Sequence, residues 1–271
     1  MHAMILAAGR GERMRPLTDQ TPKPMLRVGD RPLIEWHLLR LAKMQNWEEV
    51  VVNTAHLPDQ IEKFLQDGSA WGLRVRISRE PPGALETAGG IATAKPWRDE
   101  APFFLINGDV FIEGDLPPLV DQLAESMRLC KQAPLAHIWL VPNPAHNPGG
   151  DFYIHNGLAS PLSSPSLSGP SLSGPSLSSP SLSGPSLSGP TGRDRPKSFT
   201  YSGVAILWPR LFADCIPGRP APLGPLLRQA CGQGQVSASL WPGAWVDVGT
   251  PERWQWLDQR LRSGGPLGHH E

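Results

Sequence analysis

The densest chemistry in the chain lies near its start. A short apolar run, Met4-Ile5-Leu6-Ala7-Ala8, leads straight into Gly9-Arg10-Gly11-Glu12-Arg13-Met14-Arg15. Glycines at a strand end let backbone N–H groups converge on an anion without obstruction by Cβ, and Arg13 adds a forked, permanently charged donor. Residues 1–31 hold six basic residues against three acidic ones, in a chain whose 25 Lys+Arg and 25 Asp+Glu otherwise cancel. The positive field is therefore concentrated at this turn, more than a plain glycine turn requires. Downstream, Thr21-Pro22-Lys23-Pro24 sets a lysine between two rings that restrict the backbone, so its ammonium is held on a stiff extended segment. Such an ammonium suits a phosphate; the plainer reading is a solvated lysine in a proline turn.

Two carboxylates follow apolar strands. Asn107-Gly108-Asp109 comes after the apolar residues 103–106, and Asp247 closes the short run in Trp245-Val246-Asp247-Val248-Gly249-Thr250. In open α/β sheets ligands bind outside the carboxyl ends of the strands. Two carboxylates, phosphate oxygens and water are what Mg²⁺ takes, whereas either aspartate alone serves equally as a turn former or cap. A second glycine stretch, Gly83-Ala84-Leu85-Glu86-Thr87-Ala88-Gly89-Gly90, opens a helix. Its first N–H groups suit an anion or polar sugar atoms, and its glycines alternatively serve tight helix packing.

Positioning these groups requires a sheet, and the chain supplies its pattern. Short apolar runs at 2–7, 49–54, 73–78, 103–107 and 135–141 alternate with helical periods after Asp30, at 58–65, after Glu86 and at 116–130. That alternation predicts βαβ units and an α/β fold: a Rossmann-like mixed, mostly parallel sheet flanked by helices in a single domain. A strand pair at 152–154 and 199–207, a helix at 223–230, strands at 235–240 and 244–248, and a helix at 251–261 complete the expectation. Thr250 is the expected N-cap of that last helix, with Pro251 at its first position.

Residues 160–190 consist of only 14 Ser, 7 Pro, 6 Leu and 4 Gly, in a five-residue repeat. Proline at that spacing excludes a helix or a sheet interior, and the sparse leucines cannot offset ordering entropy. The expectation is one domain over 1–262, interrupted by a low-complexity disordered insertion at 157–196 and followed by a disordered tail at 263–271.

Composition excludes several classes. A formal net charge of zero argues against nucleic-acid binding. No apolar run is long enough to span a bilayer, and the N-terminal apolar run is too short for a secretory signal, so a cytoplasmic protein without membrane partners is expected. Cys130, Cys215 and Cys231 are too few and too scattered for a disulfide framework or a zinc site. There is no Walker A string, and a dinucleotide fingerprint lacks both its third glycine and an acidic end to the second strand, which closes on Asn53-Thr54.

Taken in order, LAAGRGERM (6–14), TPKP (21–24), LETAGG (85–90), NGD (107–109) and DVGT (247–250) resemble the motif series of the sugar-1-phosphate nucleotidyltransferases. The likeness spans residues 1–156 and 197–262. It implies a fold of the nucleotide-diphospho-sugar transferase type and transfer of a nucleotidyl group from an NTP to a sugar 1-phosphate, as a monomer or homodimer. It also implies residue roles. Leu6, Ala7, Ala8, Gly9 and Gly11 would hold the nucleotide, Arg13 the departing pyrophosphate and Lys23 the α-phosphate. Glu80, Leu85 and Gly90 would lie near base or ribose. Asn107, Asp151, Ser202 and Gly203 would face the sugar, and Asp109 and Asp247 would ligate Mg²⁺, with Arg13, Lys23 and Asp109 catalytic. Mannose or glucose 1-phosphate with GTP or dTTP stays open as the substrate pair, as does a catalytically silent nucleotide sensor.

Overall fold

A computed structural model describes residues 1–44, 47–81, 83–162 and 197–264. Its first half runs β1 (His2–Leu6), α1 (Leu17–Gln20), β2 (Arg27–Val28), β3 (Arg31–Pro32), α2 (Leu33–Met44), β4 (Glu49–Thr54), α3 (Pro58–Leu65) and β5 (Val75–Arg79). Then come α4 (Glu86–Ala94), β6 (Phe103–Asn107), β7 (Val110–Ile112), α5 (Leu119–Leu129), β8 (Ala136–Val141), β9 (Phe152–His155) and β10 (Leu158–Pro161). The chain ends with β11 (Ser198–Leu207), α6 (Leu223–Gly232), β12 (Val236–Leu240), β13 (Trp245–Asp247) and α7 (Pro251–Ser263).

Nine strands form one mixed sheet in the order β5-β4-β1-β6-β11-β8-β12-β10-β9. β5, β4, β1 and β6 pair in parallel, as βαβ connections require, and β11 then inserts antiparallel between β6 and β8. β1 sits inside the parallel half, so its Ala3 and Ile5 face one side while Met4 faces the other. On the first side pack Ile34, Leu38 and Leu41 of α2, Ile61 and Leu65 of α3, and Leu119 of α5. On the second lie Ala88, Ile91 and Ala94 of α4, with Leu223, Leu227 and Ala230 of α6. A smaller cluster, Val28, Leu33, Phe111, Val246, Val248 and Leu257, docks α7 against a separate β7–β13 ribbon.

The expected pair at 152–154 and 199–207 forms, with Phe199 opposite Phe152, but it is a minor contact. The main partner of β9 is β10, which lies inside the stretch expected to be disordered from 157 onward. Gly157 (φ +77°) turns the chain, and Leu158–Pro161 pair with β9 and touch β12, so residues 157–161 of the expected insertion belong to a turn and a strand of the sheet. The rest of the expected insertion, 163–196, and of the tail, 265–271, lies outside the described residues.

Candidate active site

β1 ends at Leu6 and delivers the glycine turn. Gly11 has φ +63° and opens a short 3₁₀ turn over Glu12–Met14, closed by the Met14 N–H on the Gly11 carbonyl at 2.9 Å. Met14 is fully buried and anchors the turn, while the Thr18 hydroxyl donates to the same carbonyl at 2.8 Å. A Cβ at Gly11 would stand 2.9 Å from Thr18 Cγ2 and 3.3 Å from Lys23 Cβ, so the turn folds directly onto Lys23. Gly9 faces open space. Arg10 and Arg13 are exposed, outside every ion pair among the described residues.

Lys23 follows Pro22 into a second 3₁₀ turn, and its side chain is only 8 % exposed. Its Nζ donates to Asp109 Oδ2 at 2.8 Å. Asp109 stands in the turn between β6 and β7, where the Gly108 N–H donates to the Leu6 carbonyl at 2.8 Å. A Cβ at Gly108 would sit 2.5 Å from that carbonyl oxygen, so glycine is what lets the ends of β1 and β6 meet.

Asp247 ends β13, opposite Val110, and the next residue's N–H, Val248, donates to the Asp109 carbonyl at 2.9 Å. The two aspartates, far apart in sequence, therefore come to one end of one ribbon. Their carboxylates are held by different cations: Asp247 Oδ2 accepts from Arg253 at 2.8 Å and lies 3.2 Å from His146 Nε2. Arg253 is positioned by the predicted cap, since its N–H reaches Thr250 Oγ1 at 3.4 Å. In both aspartates the cation contacts run through Oδ2. A Cβ at Gly249 would collide with Arg253 Nη2 and stand 3.0 Å from both Asp247 oxygens, so glycine is what lets Arg253 close onto that carboxylate. No cluster of three or more acidic, histidine or cysteine ligands exists among the described residues. A divalent ion here would draw two oxygens from the aspartates and the remainder from phosphates and water, which is the habit of Mg²⁺.

Between these elements lies a cavity of about 840 Å³, lined by Leu6, Ala7, Ala8, Gly9, Lys23, Glu80, Leu85, Asn107 and Asp109 among the expected residues. Arg10, Asn53, His56 and Thr87 also line it; spacing gave them no role. Leu57 (φ +48°) and Glu86 (φ +55°), both on the lining, hold left-handed backbone that non-glycine residues rarely adopt. Two of the expected nucleotide residues are engaged within the protein. The Ala7 N–H is taken by Asn53 Oδ1 at 2.8 Å and is not free for a ligand. Gly90 is buried behind the lining, where a Cβ would collide with the Glu80 carboxylate at 2.5 Å. At the start of α4 the Ala88 and Gly89 N–H groups donate to the Ala221 carbonyl at 2.9 and 3.0 Å, so close packing claims them. Burial raises the Glu80 carboxyl above the ordinary glutamate range, opposed by hydrogen bonds from the Asn53 amide and the Leu85 N–H.

The expected sugar-facing residues divide. Asn107 lines the cavity. Gly203 (φ +80°) is buried against it, since a Cβ there would lie 2.8 Å from Asn107 Cγ. Ser202 is fully buried: its hydroxyl donates to the Trp139 carbonyl at 2.7 Å and accepts from the Val204 N–H at 3.2 Å, holding a bulge in β11. Asp151 accepts from the Tyr201 N–H at 2.8 Å and from Asn147 at 3.2 Å, bracing the loop that carries His146. Ser202, Gly203 and Asp151 thus shape the wall, and Asn107 is the member of the set that meets the cavity. His146 and Arg253 were missed because neither stands in a motif: His146 lies far before its partner Asp247 in sequence, and Arg253 follows the DVGT block inside α7.

Residues 2–139 match the family model described as nucleotidyl transferase. A Neisseria meningitidis protein named N-acetylmuramate alpha-1-phosphate uridylyltransferase is 45% identical over 250 residues, 92% of this chain and 94% of its own. The chain belongs to the nucleotidyl transferase family. A Caulobacter vibrioides protein of the same name is 31% identical to this nucleotidyl transferase, over 92% of each chain. A crystal structure from Bacillus anthracis, described as a candidate glucose-1-phosphate thymidylyltransferase, superposes on 100% of the chain and 98% of its own with a TM-score of 0.73 at 18% identity, a likeness of fold. The expected α/β class therefore holds, with flanking helices on a mixed sheet, and the chain is an enzyme of the nucleotidyltransferase kind. Among the described residues no helix is long and apolar enough to cross a membrane.

Proposed function

We propose that this nucleotidyl transferase moves UMP from UTP to N-acetylmuramic acid 1-phosphate, releasing pyrophosphate and UDP-MurNAc, as a cytoplasmic step of peptidoglycan recycling. The observation that carries the reading is the likeness, over nearly the whole of both chains, to two relatives bearing that enzyme's name. The blocks Gly150-Asp151-Phe152, Tyr201-Ser202-Gly203 and Gly243-Ala244-Trp245 point the same way.

The second pKa of a phosphate monoester is near 6, so the attacking oxygen of the sugar phosphate is ionised at neutral pH and needs no general base. It forms a bond to the α-phosphorus as the bond from that phosphorus to the bridging oxygen breaks, and the electron pair leaves on pyrophosphate. The task is to bring two anions into line and neutralise the charge that develops. The Ala8, Gly9 and Gly11 turn holds the triphosphate, and exposed Arg13 takes the departing pyrophosphate. Lys23, fixed by burial and by Asp109, meets the α-phosphate. Asp109 and Asp247 are the residues to hold Mg²⁺, which when bound offsets phosphate charge.

A coupled pyrophosphate-release assay over four NTPs and the 1-phosphates of N-acetylmuramic acid, mannose and glucose tests this. UTP with the muramic acid ester should give the highest kcat/KM. A higher value for a mannose or glucose pair would overturn the substrate assignment, and no Mg²⁺-dependent release with any pair would revive the silent sensor.

A further inference from the structure

Asn53 stands near the end of β4, between two walls of the cavity, and is 3 % exposed. Its Oδ1 accepts the Ala7 N–H at 2.8 Å, and its Nδ2 donates to Glu80 Oε1 at 2.7 Å. One amide therefore ties the residue that opens the glycine turn to the carboxylate that follows β5. Helix α4 closes over this link, since a Cβ at Gly90 would come within 2.5 Å of Glu80 Oε1 and 3.1 Å of Asn53 Nδ2. A buried amide bonded at both ends fixes the two groups relative to each other. We infer that Asn53 is a positioning residue for nucleotide choice, holding the Glu80 carboxylate as a fixed acceptor at a set distance from the phosphate-binding turn. The inference rests on the nucleotidyltransferase site proposed above, with Glu80 at its base end.

A carboxylate acceptor favours a base that presents a ring N–H, as uracil does, and opposes the ring-nitrogen lone pair of cytosine. It does so only while ionised. Arg10, Glu12, Lys23, His56, Arg79 and Glu86 line the same cavity, with Arg79 already committed to Asp59 and Glu62. None of them contributes to the raised Glu80 carboxyl, whose causes are burial against the Asn53 and Leu85 hydrogen bonds. Asn53 is thus the side chain whose hydrogen bond opposes the effect of burial and favours the ionised form of Glu80. Asn53→Asp retains an acceptor for Ala7 but sets a second carboxylate against Glu80; Asn53→Ala removes both links.

Calorimetric titration of the full chain with UTP and with CTP, without sugar phosphate, at about pH 8 and about pH 6 tests the inference. The wild type should prefer UTP at both values. In Asn53→Asp the UTP Kd should rise about tenfold on going to the lower pH, and in Asn53→Ala by a smaller factor. Adding Glu80→Gln to Asn53→Asp should flatten that dependence, which a purely structural role would leave in place. Glu80→Gln alone, in an otherwise intact cavity, should lose the preference for UTP over CTP. A pH-independent UTP affinity in a folded Asn53 variant, or preference retained in Glu80→Gln, overturns the inference. A wild type that binds neither nucleotide counts instead against the proposed substrate.

Discussion

Lys23 and Asp109 form a pair in which the ammonium is buried and the carboxylate is not, with side-chain exposures of 8 % and 41 %. The asymmetry separates their substitution effects. Asp109→Asn leaves a buried charge without its partner, which costs more than the pair itself contributes. Turnover should fall by about a hundredfold or more, from a charge lost at the reacting phosphates. The thermal midpoint should fall by several degrees, the fold being retained by circular dichroism. Lys23→Met removes the charge and keeps the aliphatic volume, so its midpoint should hold while kcat falls at least as far. Near-normal turnover in either variant would remove these residues from the reaction. Arg13 is exposed and makes no side-chain hydrogen bond or ion pair among the described residues. Arg13→Ala should therefore lower kcat by about a hundredfold while leaving the KM for sugar phosphate within a few fold, because its charge acts on the leaving group. Steady-state kinetics showing the reverse would reassign it to substrate binding.

At the scale of elements, the glycine turn makes two substitutions of one type behave differently. Gly11→Ala needs a left-handed backbone and sets a methyl against Thr18, so it should cost about 1–3 kcal/mol in urea unfolding and weaken UTP binding as well. Gly9→Ala meets nothing within 4 Å and should leave stability almost unchanged while reducing UTP affinity, because the methyl would enter the space proposed for the triphosphate. Equal stability losses in the two would mean the turn is not preformed. Elements with a strong period were legible in sequence: Val50, Val51 and Val52 could hardly be other than an interior strand, and the Thr250-Pro251 start of α7 was marked by residue type. β7 and β10 were not. Val110–Ile112 is too short to show a period, and Leu158–Pro161 shares its composition with the repeat beside it, so pairing alone defines them as strands.

Over the whole molecule, the residues that the fold brings together were legible where backbone or charge is unusual, as in the glycine turn, Lys23 and Asp109, and illegible where a residue serves another residue. Asn53 gave only the absence of an acid, and Ser202 looked like a contact because sequence cannot show that its hydroxyl is spent on Trp139. Buried histidines are a further property that only packing creates, and they govern the response of the fold to acid. Desolvation pushes the His37 ring down to about 3, and that of His137 down to about 4. Unfolded histidine titrates near 6.5. The unfolded chain thus binds protons that the folded chain refuses, and the stability tied to the neutral rings is complete above about pH 6.5 and drains as pH falls toward these lower values. Each ring contributes a slope of up to about 1.4 kcal/mol per pH unit, on a total stability of roughly 5–15 kcal/mol. The raised Glu80 carboxyl opposes this by at most one proton, in the window just above the ordinary glutamate value. Urea unfolding from about pH 7 to about pH 5 should therefore show a steep loss of stability. His137→Gln, which keeps a polar group toward Ser237 without a titrating ring, should roughly halve the slope whatever it does to stability at neutral pH. A flat profile in the wild type would mean that both rings reach water in the folded chain, and that the packing between α2, β7 and β8 is looser than described.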